Sequence, residues 1–297
     1  MASLKPYAGV ARAPFLLLPF TLVAAGAAAS AWANGFDWQH TLVALLGLVA
    51  LHMAVNVLNE WSDMRTGIDL ETERTPFSGG SGTLPRGEMS ATGALVFGLA
   101  CAAIGLAVGV WFLLQIGTVL LPVMIIGAVL VLGYTDILAR LGVGEIAAGA
   151  GLGLLPVIGA ALVQDGFLPD AAIAASIPAF FMTFNLLLLN EFPDEAADRK
   201  GGRRNLVLLF GRRGAAMIYV LAGLLTPAAI VVSVVLHVLP PLALVAVAPS
   251  VMLAQPIRWA FTDPAGPVPM PALGANVMWN LATNSLLALA LVVTILL

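Results

Sequence analysis

Long apolar runs separated by short polar intervals organise this chain. Nine of them predict nine helices, at about 14–33, 40–59, 91–113, 117–136, 144–163, 171–191, 214–237, 239–259 and 276–297. Each is close to the ~20 residues a helix needs to cross the hydrocarbon of a bilayer. Pro240-Pro241 marks a turn between the seventh and eighth. Gly and Ala are frequent within the runs, which allows helix backbones to approach closely. The expected fold class is all-α: a polytopic membrane protein with the lipid bilayer as its solvent.

Composition supports that pattern. Of 297 residues, 60% are hydrophobic and 10% charged, against about 25% charged in a soluble domain. The net charge of -3 says little, because the charges are segregated. With nine crossings, all thirteen Lys and Arg fall on one side, from Lys5 and Arg12 through to Arg258. The opposite loops carry only Asp37, Asp165 and Asp170. The positive-inside rule makes the cation-rich side cytoplasmic. That puts the amino terminus inside and, for a bacterial source, the protein in the inner (cell) membrane. A single cysteine, Cys101, excludes a disulfide within the chain and a cysteine-rich metal site. Ala31-Trp32-Ala33 only weakly resembles a cleavage site, so the first helix is expected to be retained. Nothing in the charge pattern implies a nucleic acid partner.

One polar phrase occurs twice. Leu58-Asn59-Glu60-Trp61-Ser62-Asp63 returns as Leu189-Asn190-Glu191-Phe192-Pro193-Asp194. Both copies end an apolar run and lead into long cytoplasmic loops, expected at about 60–90 and 192–213. Carboxylates at the edge of a membrane helix are costly and point to function. The copies end spans two and six. That even offset predicts parallel four-helix repeats over 14–136 and 144–259, with 276–297 as a ninth helix, all within one membrane domain, 1–297.

The spacing within each copy suggests chemistry. Asn190, Asp194 and Asp198 are four apart and share a helix face, provided that Pro193 does not break the helix. Asn59 and Asp63 repeat the step. Asp69 is six residues further on and reaches the same site only if the chain turns near Gly67. Magnesium favours oxygen ligands and combines one or two carboxylates with substrate phosphates. Two facing acidic sets therefore suit a magnesium-bound diphosphate. Arg65, Arg74 and Arg86 follow the first set; Arg199, Lys200, Arg203 and Arg204 follow the second. Arginine suits bidentate phosphate contact, although cations beside membrane helices are more commonly topological anchors. Ser78-Gly79-Gly80-Ser81-Gly82 offers backbone N–H groups, but it is not a Walker loop. Tyr134, which ends the fourth span, is a candidate for contact with the acceptor or the phosphate. Its alternative role is an interfacial anchor. Glu145 opens the fifth span, where an acid also suits the helix dipole. His40, His52 and His237 have no metal-ligand spacing and receive no role.

With these residues in view, the chain resembles the UbiA superfamily of intramembrane prenyltransferases. The resemblance covers most of the chain. It is strongest from Asn190-Glu191-Phe192-Pro193-Asp194 through Asp198-Arg199-Lys200 to Gly202-Arg203-Arg204-Asn205-Leu206-Val207. Asp69 ten residues after Asn59, with Gly67 ahead of it, is similar to the 1,4-dihydroxy-2-naphthoate branch used in menaquinone synthesis. Gly142-Val143-Gly144-Glu145, then Gly153 and Leu154-Leu155-Pro156, lean the same way. Glu60 stands where Asp is common. The resemblance implies a nine-helix bundle with a central cavity capped by two cytoplasmic loops, a polyprenyl diphosphate donor and Mg2+. It assigns metal binding to Asn59, Asp63, Asp69, Asn190, Asp194 and Asp198, with Arg199, Lys200 and Arg204 as helpers.

The expected reaction is transfer of a polyprenyl group to a small aromatic acceptor, 1,4-dihydroxy-2-naphthoate foremost. Magnesium and basic groups would stabilise the departing pyrophosphate, and the apolar bundle would exclude water. The same donor site suits 4-hydroxybenzoate, homogentisate, haem, a chlorophyll precursor or a glycerol phosphate as acceptor. A secondary transporter also uses repeats and intramembrane acids, but its site is usually near mid-bilayer. Here the acids sit at helix ends beside arginine-rich loops.

Overall fold

A computed structural model describes residues 4–33, 35–72 and 74–297. The described residues are helical with no strand. Eight helical segments are long and apolar enough to cross a membrane. One of them, Ala91–Leu141, has 51 residues. At 1.5 Å per residue it would extend about 77 Å, more than twice the hydrocarbon thickness. It breaks at Gly117, whose φ of 79° is in the left-handed region that glycine occupies without a Cβ penalty. The chain then doubles back, bringing Met124 against Gly109, where a β-carbon would lie 2.7 Å from Cε. The segment is thus two legs, which makes nine legs among the described residues.

These legs are α1 (Leu17–Ala33), α2 (Trp38–Thr66), α3 (Ala91–Ile116), α4 (Leu121–Gly133, prolonged by a π turn at Tyr134–Leu138), α5 (Gly144–Leu162), α6 (Asp170–Lys200), α7 (Leu206–Val235), α8 (Pro241–Thr262) and α9 (Met270–Leu296). Asp37 caps α2 by accepting from the His40 N–H at 2.9 Å, and Ser90 caps α3 from the Gly93 N–H at 3.0 Å. Each supplies an acceptor that the first turn lacks.

Packing follows the small residues. Gly98 and Gly105 of α3 let Leu58 and Leu51 of α2 press against its backbone. Gly149 and Gly153 let α5 approach the α6 backbone at Ala179 and Phe180. α6 is central, touching α1, α5, α7 and α9. A polar triangle ties three of these helices together. Asn185 donates to the Tyr219 carbonyl (2.9 Å), Tyr219 to Asn276 Oδ1 (3.0 Å), and Asn276 to the Asn185 carbonyl (3.0 Å). Such intramembrane bonds contribute about 0.6–2 kcal/mol each. By contrast α3 and α4 turn Val96, Val110, Leu114, Ile125 and Val129 outward, away from the interior. That is the expected face toward lipid.

Helix ends differ from the sequence expectation. α6 runs through Pro193 to Lys200, so the loop expected at 192–213 shrinks to 201–205. Pro193 removes only its own bond to the Leu189 carbonyl, and packing around α6 preserves the rest. Asn205 starts α7 by accepting from the Leu208 N–H at 2.9 Å. The helix then kinks at Gly211 (φ 69°, ψ 163°). α2 likewise continues past the expected 59 to Thr66, so both acidic phrases lie on helix.

Candidate active site

The last turns of α2 and α6 meet at one end of the bundle, where they form the mouth of a cavity of about 600 Å³. Asn59, Asp63 and Asp69 line it from one side, and Asn190, Asp194 and Asp198 from the other. The chain turns at Gly67 (φ 79°) to carry Asp69, on the short helix Ile68–Glu71, back to the mouth. Because α6 is unbroken, its three polar side chains share one face. Away from the mouth the lining becomes apolar and reaches Ala44, Phe112 and Val163. From Asp63 to Ala44 this wall follows α2 for about 28 Å at 1.5 Å per residue.

Arg203 links the two acidic sets. Its Nη2 donates to Asp63 Oδ1, and its Nη1 to Asp198 Oδ1 at 3.3 Å. Asp198 also accepts from Asn205 Nδ2 at 2.9 Å. Burial opposes the Arg203 charge, but Asp63 and Asp198 outweigh it and hold the guanidinium more firmly protonated than usual. Asp69 is only 3% exposed. Burial, and then the charges of Asp63 and Glu60, raise its carboxyl to a pKa of about 7.

The Gly/Ser loop closes over these acids. Gly79 N–H donates to Asp194 Oδ2 at 3.3 Å. Gly80 (φ 69°) passes so close to Asp69 that a β-carbon would lie 2.8 Å from Oδ1. Glu60 fixes the loop by accepting from the Ser81 N–H at 2.6 Å and the Ser81 hydroxyl at 2.5 Å. Glu60 thus holds the cap, which accounts for a longer acid at that position. On the far wall, the π turn presents Tyr134 to the cavity. Thr135 accepts from Asn59 Nδ2 at 3.3 Å, and Asp136 accepts from the Ser62 hydroxyl at 2.6 Å. Glu145 accepts from the Leu206 N–H at 2.6 Å and secures the loop that carries Arg203.

Of the predicted cations, Arg204 lines the mouth. Arg74 donates to the Asp69 carbonyl at 2.5 Å, behind the site. Arg65 lies over the Trp61 ring at 4.5 Å. Arg199 pairs with Glu195 at 3.1 Å, and Lys200 with Glu71, both facing outward. These last four are not on the cavity wall. Arg203, which the sequence shows only as one of several flanking cations, is the one inserted between the acids. Glu60, Ser81, Glu145 and Asn205 are further residues that spacing alone does not reveal, because their partners are distant in the chain.

The UbiA prenyltransferase family model matches residues 17–282. The 1,4-dihydroxy-2-naphthoate octaprenyltransferase of Mycobacterium tuberculosis (strain ATCC 25618 / H37Rv) is 27% identical over 297 residues, covering 97% of this chain and 98% of that one. The enzyme so named in Bacillus subtilis (strain 168) is 28% identical over 183 residues, 59% of this chain and 56% of its own length. Among solved structures, a UbiA homolog from Archaeoglobus fulgidus bound to GPP and Mg2+ superposes with a TM-score of 0.70 at 16% identity, covering 98% of this chain and all of that one. The apo structure of a UbiA homolog from Aeropyrum pernix K1 gives 0.70 at 18%, covering 96% and 98%. A family match that begins in α1 and ends in α9, on a bundle of this shape, makes the chain a member of the UbiA prenyltransferase family and the protein a prenyltransferase embedded in a membrane.

Proposed function

We propose that this prenyltransferase moves a polyprenyl group from an allylic diphosphate to a small aromatic acceptor, 1,4-dihydroxy-2-naphthoate foremost, with Mg2+ and with its mouth toward the cytoplasm. The observation that carries the reading is the convergence of the Asn/Asp sets of α2 and α6 at the head of one long apolar cavity. A polar mouth over an apolar shaft matches a ligand with a diphosphate head and an isoprenoid tail. The names of the mycobacterial and Bacillus relatives support the acceptor, and the ligands of the Archaeoglobus homologue support the donor and the metal. Segregation of the cations supports the orientation.

The residues fit magnesium. Asp69 Oδ2 and Asp194 Oδ1 are buried acceptor atoms without a donor, the hard oxygens this ion takes. No three acidic, histidine or cysteine side chains among the described residues gather closely enough to enclose a cation alone. Diphosphate oxygens would complete the coordination, which is the usual mode for this ion. Asn59, Asp63 and Asp69 would hold it from α2 and its turn, and Asn190, Asp194 and Asp198 from α6. Bound there, it supplies charge neutralisation that eases loss of pyrophosphate.

The chain's own residues do the rest. Arg203 and Arg204 offer guanidinium donors to phosphate oxygens. The Gly79–Ser81 backbone covers the head group, and the apolar wall keeps water from the allylic cation. Tyr134 faces the same space at the mouth. The allylic C–O bond breaks and its electron pair leaves with pyrophosphate; a ring carbon of the acceptor forms the new C–C bond, and that carbon then loses its proton, or its carboxylate as CO2, so that the ring regains aromaticity.

The test is prenyl transfer by the purified protein in lipid nanodiscs, with labelled prenyl diphosphate and a panel of acceptors. Product with 1,4-dihydroxy-2-naphthoate that disappears on chelation supports the reading. Product with another acceptor alone, or activity indifferent to chelation, refutes it.

A further inference from the structure

Asn59 has a requirement that its carboxylate neighbours do not. An ionised carboxylate presents oxygen whichever way it turns. A carboxamide has one acceptor oxygen, and its NH2 only donates. A hard cation takes the oxygen. Asn59 therefore serves as a ligand in one of its two orientations, and something must choose between them.

The choice is made outside the cavity lining. Asn59 lines the mouth, and its Nδ2 donates to Thr135 Oγ1 at 3.3 Å, on the π turn that ends α4. Among the described residues no donor meets Asn59 Oδ1. With the nitrogen tied to α4, the oxygen is the end left for the acids of the mouth.

Thr135 is itself held. The next residue, Asp136, accepts from the Ser62 hydroxyl at 2.6 Å, a charge-assisted bond and so a strong one. Asn59 and Ser62 are three residues apart and neighbours on the surface of α2. They grip consecutive residues of the turn across 76 and 74 residues of sequence. The turn, Tyr134–Leu138, is π-helical, a form that is rare and concentrates at functional sites.

We propose that Thr135 is a positioning residue for Mg2+. By accepting from Asn59 Nδ2 it holds the carboxamide oxygen toward the ion, and the Ser62–Asp136 bond keeps Thr135 in place. Partners that stand behind metal ligands in this way typically govern about ten- to a hundred-fold in metal affinity. The inference rests on the metal–diphosphate reading above and adds what aims one of its ligands.

The test reads metal affinity rather than turnover. Mn2+, which takes the same oxygen octahedron as Mg2+, is the probe. Labelled geranyl diphosphate is bound to the full-length protein in nanodiscs, without acceptor, over a series of free Mn2+ concentrations. Thr135→Val, which keeps the shape and removes the acceptor oxygen, should raise the Mn2+ needed for half-saturation about ten-fold or more. Thr135→Ser, which keeps the hydroxyl, should stay within about three-fold of wild type. In an Asn59→Asp background the ligand has oxygen at both ends. There Thr135→Val should shift the midpoint by less than about three-fold, which is the mark of one residue acting through the other. Binding at saturating Mn2+ should reach the same level in every variant, which also shows that they fold. An unmoved midpoint in Thr135→Val, or an equal shift in both backgrounds, would overturn the assignment. If the wild type takes up Mn2+ with the diphosphate but never prenylates an acceptor, the reaction reading fails while this comparison still stands.

Discussion

Arg203 reaches Asp63 across 140 residues of sequence, and the same guanidinium holds Asp198. One side chain therefore joins the ends of α2 and α6. It also neutralises part of a carboxylate cluster whose mutual repulsion would otherwise push the two helices apart.

Removing that guanidinium should weaken the fold as well as catalysis. Breaking a buried pair by deleting one partner costs about 3–5 kcal/mol. Arg203→Met should lower the unfolding temperature of the metal-free protein, and added Mg2+ should recover part of the loss because a cation again sits among the acids. Thermal scans with and without Mg2+ check this. An unfolding temperature equal to wild type in both conditions would contradict the bridging role.

The outward cations should matter far less. Arg199 and Lys200 are paired in exposed contacts, which contribute about 0–1 kcal/mol each. Arg199→Ala and Lys200→Ala should keep kcat/KM for the prenyl diphosphate within about five-fold of wild type. Asp63→Asn and Asp194→Asn should lose at least about a hundred-fold, since each removes a carboxylate proposed to hold the Mg2+ that neutralises the leaving group. Steady-state kinetics on the four variants reads the contrast.

Gly80 is where the cap touches the acids of the mouth. A methyl group there would press on Asp69 Oδ1 at 2.8 Å, with φ at 69° adding strain. Gly80→Ala should raise KM for the prenyl diphosphate about ten-fold and leave acceptor KM near wild type. Glu60→Ala should free the same loop by deleting both Ser81 contacts. Faster amide exchange across 78–82 would be the signature.

Asp69 gives the metal-free protein a pH signature. Its folded pKa, about 7, lies above the roughly 3.9 of an unfolded aspartate. Between those values the folded state binds more proton than the unfolded state, so stability falls as pH rises. In EDTA, unfolding by denaturant should become easier from pH 5 to 8, and Asp69→Asn should flatten that slope. An unchanged slope in the variant would assign the effect to other groups.

The bundle was largely legible in the sequence because lipid imposes one rule, a run of about twenty apolar residues, on every crossing. Gly67 and the four-residue steps from Asn190 to Asp198 announced the turn and the shared face. The continuation of α6 through Pro193 was not legible, because tertiary packing overrides a local breaker. Nor was the choice of Arg203 over Arg199 and Lys200. The three follow one acid in sequence, and only the turn after α6 decides which of them points inward. Glu60 was ambiguous for a related reason: its partner, Ser81, is 21 residues on, across a loop with no periodicity.

Since α6 carries Asn190, Asp194 and Asp198 on one uninterrupted rod, their spacing is quantised. Inserting or deleting a single residue between them would swing every downstream group by about 100°, carrying Asp198 away from Arg203 and into the bundle wall. Change at this mouth is therefore confined to swapping one side chain for another or adding whole turns. Length variation must be absorbed elsewhere, in the outer part of the cover at 82–90 or the short link at 201–205.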